Sequence, residues 1–265
     1  MPDCGGADRV VRYDRVGSTN DEARQLAAAG AGHGTVVLAL RQDGGRGRRG
    51  RQWDSPAGNL YCSLILRPDR PLADGAQLSF VGALAVAETV AGLLPATCRV
   101  QAKWPNDILA AGAKIAGILL EAEATPDHRV AWLVVGIGLN LCRHPLVDAY
   151  ATTDIVASGG ALVTPDAALT ALLVRFDHWY ECWLRDGFRP VRQAWLTRAA
   201  GLGEEIAVQL ARDRITGTFS GLAGDGALLV TMQNEVRQIA AGDVILSGTG
   251  ARSCPVTVGS DAACD

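Results

Sequence analysis

The sequence predicts an α+β protein in two units, a mixed β-sheet flanked by helices and then a small β-barrel. Between about Arg9 and Ala200, runs of β-branched and large apolar residues alternate with helical stretches but keep no strict strand–helix–strand rhythm. From Gly201 to about residue 248 only short strand-like runs remain, joined by hairpin chemistry such as Ala223-Gly224-Asp225-Gly226. A 48% hydrophobic chain of 265 residues is long enough to give the first unit a substantial core and to leave a small second one. Residues 1–8 and 249–265 are rich in Gly, Ser, Ala and Asp without periodicity, and are expected to be loose tails.

In order, a first strand-like stretch lies near Tyr13. Gly17-Ser18-Thr19-Asn20 then reads as a cap opening a helix over Asp21 to Ala29, with acidic residues in its first turn and Gly30 to stop it. Strands are expected at Thr35–Leu40 and Asn59–Leu66, a long buried helix at Ala76–Leu94, and strands at Cys98–Trp104, Lys114–Glu121 and Val130–Leu141, bounded by turn residues such as Pro105-Asn106-Asp107. Helices at Ala167–Leu184 and Phe188–Leu196 close the first unit. The second unit takes strands at Ile206–Leu210, Ile215–Leu222, Ala227–Thr231 and Val236–Ala240.

Composition narrows the function. A formal charge of -3 and a pI near 5.8 oppose a protein devoted to nucleic-acid backbones, which carries a broad basic face. The seven cysteines are odd in number, scattered and without a Cys-x-x-Cys pair, a pattern of reduced, cytoplasmic thiols rather than of disulfides or zinc. The apolar stretch Leu78–Leu94 carries Glu88 and is short for a membrane span, so it reads as a core helix, and no signal core opens the chain.

The positive charge that exists is local. From Asp43 to Trp53 four arginines and four glycines share eleven positions. Glycines let backbone N–H groups approach an anion, and guanidinium forks match phosphate or carboxylate. Gly45-x-Gly47-x-x-Gly50 imitates a dinucleotide fingerprint, but Gln52-Trp53-Asp54-Ser55-Pro56 blocks the helix that fingerprint requires. Held together without a ligand, Arg46, Arg48, Arg49 and Arg51 would repel one another, so the loop is expected to be mobile when empty and to close on a ligand.

Four more segments set polar groups among apolar ones: Gly17-Ser18-Thr19-Asn20, Lys103-Trp104-Pro105-Asn106-Asp107, Lys114-Ile115-Ala116-Gly117, and Gly136-Ile137-Gly138-Leu139-Asn140. Taken in order with the arginine loop, these resemble the biotin protein ligases, over nearly everything from Ser18 to Leu246. The resemblance implies a biotin/lipoate ligase-like catalytic domain followed by an SH3-like barrel that ends in Gly242-Asp243-Val244-Ile245-Leu246. It implies ATP and biotin as substrates, with Mg²⁺, and a biotin carboxyl carrier domain of a carboxylase as acceptor partner. Biotinyl-5′-AMP would form first, and the biotinyl group would then pass to a carrier lysine.

The implied biotin residues are Ser18, Thr19, Asn20, Gln42, Arg46, Gly47, Arg48, Lys114, Gly117, Gly136 and Gly138. Hydroxyls and amides at 18–20 and 42 suit a ureido group, while a plain helix cap also accounts for Ser18–Asn20. The strand glycines mark either close approach of a ligand or a β-bulge. Arg48 and Lys114 are the implied catalytic pair, bridging carboxylate and α-phosphate; by itself Lys114 also reads as an exposed turn lysine. The implied nucleotide residues are Arg48, Arg51, Trp53, Lys103, Asn106, Asp107 and Asn140. Trp53 either covers the adenylate or anchors the loop, and Asn106 and Asp107 hold Mg²⁺ waters, align the acceptor amine, or simply make a turn.

Metal ligands are not assigned. Some members of the family carry an N-terminal DNA-reading domain and repress transcription, and the dozen residues before Tyr13 leave no room for one, so neither DNA nor a membrane is an expected partner. A homodimer is left open. The segment from His144 to Pro165, rich in Ala, Gly and Thr, is read as offering no aromatic surface to adenine. The rival readings are a lipoate or octanoate ligase and a nucleic-acid-binding protein that uses the arginine loop.

Overall fold

The computed structural model describes residues 9–233 and 235–246; the two expected tails lie outside the described residues. Strands β1 (Val10–Val16), β2 (Val36–Gln42), β3 (Leu60–Leu66), β4 (Val100–Lys103), β5 (Asp107–Ala110), β6 (Ala113–Ala124) and β7 (Val130–Leu139) form one sheet in the order β1-β2-β3-β7-β6-β5-β4. Only β1 and β2 run parallel. Parallel neighbours need a crossover, and helix α1 (Thr19–Ala28) supplies it, which sets the start of α1 at the carboxyl end of β1.

Alternation along the strands divides the core in two. Val36, Leu38, Leu133, Val135 and Ile137 turn to one face, under helix α2 (Leu78–Leu93), with α3 (Pro165–Asp186) and α4 (Phe188–Thr197) packed against α2. Eleven of the 16 residues of α2 are buried, so the stretch that is apolar enough to cross a membrane is the core helix here. Val37, Ile65, Trp132 and Val134 turn to the other face and pack with Ala23 and Ala27 of α1. Because α1 is only 10 residues long, it covers part of that face and leaves the rest open.

The second unit is an antiparallel sheet of β8 (Glu205–Gln209), β9 (Arg214–Leu222), β10 (Leu228–Met232), β11 (Glu235–Ile239) and β12 (Asp243–Leu246), in the order β11-β10-β9-β8-β12, consistent with the expected SH3-like barrel. Its Phe219, Leu228 and Val230 join the main core, and Trp104 donates its indole N–H to the Gly226 carbonyl at 3.1 Å. The small unit is thus packed onto the catalytic one.

One expected turn proved to be a strand. Asp107 opens β5, which returns through the two-residue turn Ala111–Gly112, with φ of 49° and 85°, into β6. Ala-Gly lacks the Asn-Gly signature of such hairpins, and four residues are too few to show a period. Among the described residues Cys62, Cys98, Cys142 and Cys182 form no disulfide.

Candidate active site

The site begins where β1 and β2 end. Their register sets Val16 beside Gln42, so the loop after β1 meets the end of β2. Ser18 starts α1 through its carbonyl, which accepts from Asp21 and Glu22 at 3.0 and 3.2 Å, while its side chain makes no capping bond. Side-chain capping is therefore not what Ser18 does. Thr19 donates from its backbone N–H and its hydroxyl to Gln42 Oε1 at 2.8 and 3.1 Å, and Gln42 Nε2 donates to Ser55 Oγ at 2.9 Å. Ser63 Oγ lies 2.8 Å from Thr19 Oγ1 and 2.7 Å from Asn20 Oδ1, and Asn20 Nδ2 donates to Glu121 Oε2 at 2.8 Å. The result is a floor of buried and partly buried hydroxyl and amide groups, ending on the Glu121 carboxylate, whose orientations are fixed by one another. The sequence reading missed Ser55, Ser63 and Glu121. Ser63 carried a usable signal, since it is the polar residue of the otherwise apolar, fully buried strand LYCSLIL.

Beyond α1 the open sheet face is made by glycine. Trp132 and Val134 fill the α1 side of β7, and the next two residues on that side are Gly136 and Gly138, with Gly117 paired to Gly138 on β6. The β6–β7 pairing there is regular, so a bulge does not explain Gly136 and Gly138, whereas Gly117 lies two residues from the irregularity that β6 makes with β5 opposite Ile108/Leu109. Neighbouring side chains account for Gly136 and Gly138. A Cβ on Gly136 would lie 2.0 Å from Asn20 Oδ1, and one on Gly138 would lie 2.5 Å from Trp53 Nε1. Trp53 lays its indole on Gly117 and Gly138 while also lining the cavity; its buried N–H has no partner among the described residues. As the structure stands, the ring anchors the loop.

The arginine loop is a small hairpin. Trp53 N–H donates to the Gly45 carbonyl at 2.9 Å, Arg46 bridges Gln52, and a 3₁₀ turn at Arg48–Gly50 reverses the chain with Arg49 at φ 57°. Carboxylates offset part of the expected repulsion, but three of the arginines share one of them, and burial, with Arg49 and Arg51 nearby, still pushes the Arg48 guanidinium below its usual pKa. Arg46 grips Asp21, with one contact at 2.8 Å, and reaches Glu121 at 3.5 Å; its bonds hold the Asp21 carboxyl below the usual aspartate range. Arg49 meets Asp243 at 3.1 Å, Arg51 pairs with the same carboxylate, and Arg48 donates to the Gly242 carbonyl at 3.3 Å with Asp243 at 3.9 Å. Thus Arg46 ties the loop to the catalytic unit and the other three tie it to β12.

Opposite the hydroxyl and amide floor the cavity is charged. Lys114 is not an exposed turn lysine: its side chain is 16% exposed, and Nζ lies 2.6 Å from Asp107 Oδ1. The same ammonium lies 5.4 Å from the Trp53 ring and 5.5 Å from the Tyr150 ring. Tyr150 corrects the expectation for 144–165. It is held there because the Lys114 backbone bonds Ala151 and Thr153 at 2.8 and 2.9 Å. Lys103 stands across the β4–β5 hairpin from Asp107, and burial pushes its pKa below the ordinary lysine value. Asn106 donates its amide to the Ile118 carbonyl at 2.7 Å, a tie between the hairpin and β6. Asn140 does not line the main cavity. It is 2% exposed, donates to the Thr153 carbonyl at 3.0 Å, and borders a side cavity of about 330 Å³ together with Trp53, Lys114 and Tyr150.

All the other expected site residues, Ser18, Thr19, Asn20, Gln42, Arg46, Gly47, Arg48, Arg51, Trp53, Lys103, Asn106, Asp107, Lys114, Gly117, Gly136 and Gly138, line one cavity of about 700 Å³. Gln209 and Asp243–Leu246 of the second unit form part of its wall. The cavity crosses the sheet from the end of β2 to β4, from hydroxyl and amide donors and acceptors, past a glycine and indole middle, to a cluster of cations. Such a site suits an elongated ligand with a neutral polar head and an anionic end, and a second, more highly charged anion beside it.

The chain's likeness to known proteins defines its class as a protein ligase. Residues 13–140 match the biotin/lipoate A/B protein ligase family, and residues 201–247 match the biotin protein ligase C-terminal domain. The chain is 40% identical to the biotin--[acetyl-CoA-carboxylase] ligase of Paracoccus denitrificans over 239 residues, which is 88% of this chain and 99% of that protein. It is 34% identical to the bifunctional ligase/repressor BirA of Bacillus subtilis, covering 89% of this chain and 74% of that one. The Aquifex aeolicus biotin protein ligase, solved in complex with biotin and ATP, superposes with a TM-score of 0.73 at 27% identity, over 89% of this chain and 97% of that one. The Leishmania major biotin protein ligase in complex with biotinyl-5-AMP gives 0.61 at 25% identity, over 89% and 100%. The chain belongs to the biotin protein ligase family and is a ligase enzyme.

Proposed function

We propose that this enzyme joins biotin and ATP to form biotinyl-5′-AMP and pyrophosphate, and then transfers the biotinyl group to a lysine of a biotin carboxyl carrier domain in the cytoplasm. The observation that carries this reading is the change in polarity along the main cavity, from the hydroxyl and amide groups of Ser18, Thr19, Asn20 and Gln42 near β2, where Arg46 is the cation and is paired to Asp21 and Glu121, to Lys103, Lys114, Arg48 and Arg51 toward β4. The Ser18, Thr19, Asn20 and Gln42 groups are preorganised for the ureido head, which would otherwise lose about 1–3 kcal/mol as an unpaired buried polar group. The Trp53 ring, seated on Gly117 and Gly138, takes the apolar bicycle and tail. This lays the carboxylate toward Lys114.

In the first step a carboxylate oxygen attacks the α-phosphorus, a C–O–P linkage forms, and pyrophosphate leaves with the electron pair. Two anions must meet for this. Lys114 and Arg48, from separate segments on the same cavity wall, supply the positive charge between them, acting by position and charge rather than by proton transfer. Arg51 and Lys103 meet the remaining phosphate oxygens. In the second step the carrier amine attacks the acyl carbon and AMP leaves. Among the described residues no cluster of three His, Cys, Asp or Glu is placed to cage a metal, and the two cavity carboxylates, Asp107 and Asp243, already face cations. Mg²⁺ therefore fits as an ion carried on the ATP phosphates, with Asp107 and Asn106 as the nearest groups to hold its waters.

The test is transfer. Purified enzyme incubated with biotin, ATP and an isolated carrier domain should give an avidin-reactive band that disappears when the acceptor lysine is replaced. Acylation of that lysine by lipoate as readily as by biotin, read by intact mass of the carrier domain, or no acylation at all, contradicts the assignment.

A further inference from the structure

Of the 25 cationic Lys and Arg residues in the chain, two are lysines, Lys103 and Lys114, and both line the cavity. Five cationic side chains line it in all, so the two lysines do not fall there as a matter of ordinary abundance. Elsewhere in the sequence positive charge is written as arginine. The distinction is chemical. A lysine ε-amine that loses its proton is an acyl acceptor, whereas a guanidinium stays protonated and is not.

We propose that this chain withholds amines from its own surface so that it does not become an acceptor for the acyl-adenylate it makes, and that Lys103 and Lys114 are kept because the cavity needs compact ammonium groups there. The inference rests on the ligase reading. The reaction avoided is attack of a lysine Nζ on the acyl carbon of the mixed anhydride: an amide bond forms, the acyl C–O bond breaks, AMP leaves with the electron pair, and the amine proton passes to solvent.

Each retained lysine is protected in its own way. Lys114 is ion-paired to Asp107 at 2.6 Å and flanked by the Trp53 and Tyr150 rings. Burial makes Lys103 easier to deprotonate, so its protection is its place. It stands on edge strand β4, across the hairpin from Asp107, with its backbone two strands, about 10 Å at ordinary spacing, from that of β6. The hydroxyl and amide floor at β2 is about 24 Å away along the sheet.

The experiment adds amines where the sequence has none. Ala149 and Gln209 are exposed residues on the cavity wall, one on the 143–152 segment and one on the second unit. Ala149→Lys and Gln209→Lys are incubated beside the wild type with biotin and ATP but no carrier, and lysine adducts are mapped by peptide mass spectrometry. Biotin-dependent pyrophosphate exchange is followed in parallel. The expected result is no lysine adduct on the wild type and at least about tenfold more label on each variant, at the introduced residue, because a tethered amine sits at an effective concentration of order mM. Labelling of Lys103 or Lys114 in the wild type, or no label on either variant while exchange continues, overturns the proposal. Absence of exchange in the wild type refutes the ligase reading instead.

Discussion

At its β2 end the cavity is lined by Ser18, Thr19, Asn20 and Gln42, held from behind by Ser55 and Ser63: Thr19 bonds Gln42, Gln42 bonds Ser55, and Ser63 lies against Asn20, while Arg46 there is paired to Asp21 and Glu121. At its β4 end it is walled by charges brought from separate segments: Lys103 and Asp107 from one hairpin, Lys114 from β6, the arginine loop, and Asp243 from the second unit. The first end is preorganised within a single α/β crossover and its neighbouring strands. The second exists only when two structural units are in place. On the proposed function, selectivity for the head group would be a local property of the fold, and the power to bring two anions together a property of the whole molecule.

Removing the central charge should have the largest effect. Lys114→Ala is expected to lower the rate of pyrophosphate exchange by about 10²-fold or more, the scale of losing one preorganised electrostatic group, and Lys114→Arg should not restore it. Next comes the glycine face. In Gly138→Val the new side chain meets Trp53 where a Cβ already falls 2.5 Å from the indole nitrogen, so overpacking of about 1–3 kcal/mol should appear as weaker biotin binding by calorimetry. At the β2 end Gln42→Leu should weaken biotin binding by about tenfold, from one lost buried partner, with little dependence on salt. A strongly salt-dependent loss there would erase the contrast between the two ends.

At the charged end Asp243→Asn removes the counter-charge of three loop arginines. Tryptic cleavage after Arg48, Arg49 or Arg51 should become a few-fold faster, since partly exposed ion pairs in a network contribute modestly. Smallest is an acid effect. The Asp21 carboxyl is held below its ordinary value of 3.8 by Arg46, so its contribution is present above that pH and lost as pH falls through the lowered value. Thermal stability of Asp21→Asn measured from pH 6 to pH 2 should lack that increment, and an unchanged acid profile would show the pair to be idle.

The fold was legible where periodicity was long. Six of the seven strands of the first sheet, four of the five of the second, the buried α2 and the extents of α3 and α4 to within two residues follow from hydrophobic patterns and hairpin signals. β5 was not legible, because Ile108-Leu109-Ala110 is too short and its Ala111–Gly112 turn is atypical. Of the site, residues with unusual composition announced themselves: the arginine loop, the strand glycines and the lysine-bearing turn. Partners that act through tertiary contact did not. Asp21, Glu121 and Asp243 look like ordinary surface acids in the sequence, and only the fold sets them against the loop. Tyr150 was overlooked in a segment of small residues, and its importance comes from the backbone bonds that hold it over Lys114.

The most direct test is exchange of labelled pyrophosphate into ATP, with no acceptor present and biotin the only variable. Exchange that requires biotin and collapses in Lys114→Ala is the predicted result. Exchange that proceeds without biotin, or that is unchanged in that variant, contradicts the claim that this cavity brings a carboxylate and an α-phosphate together around the Lys114 ammonium.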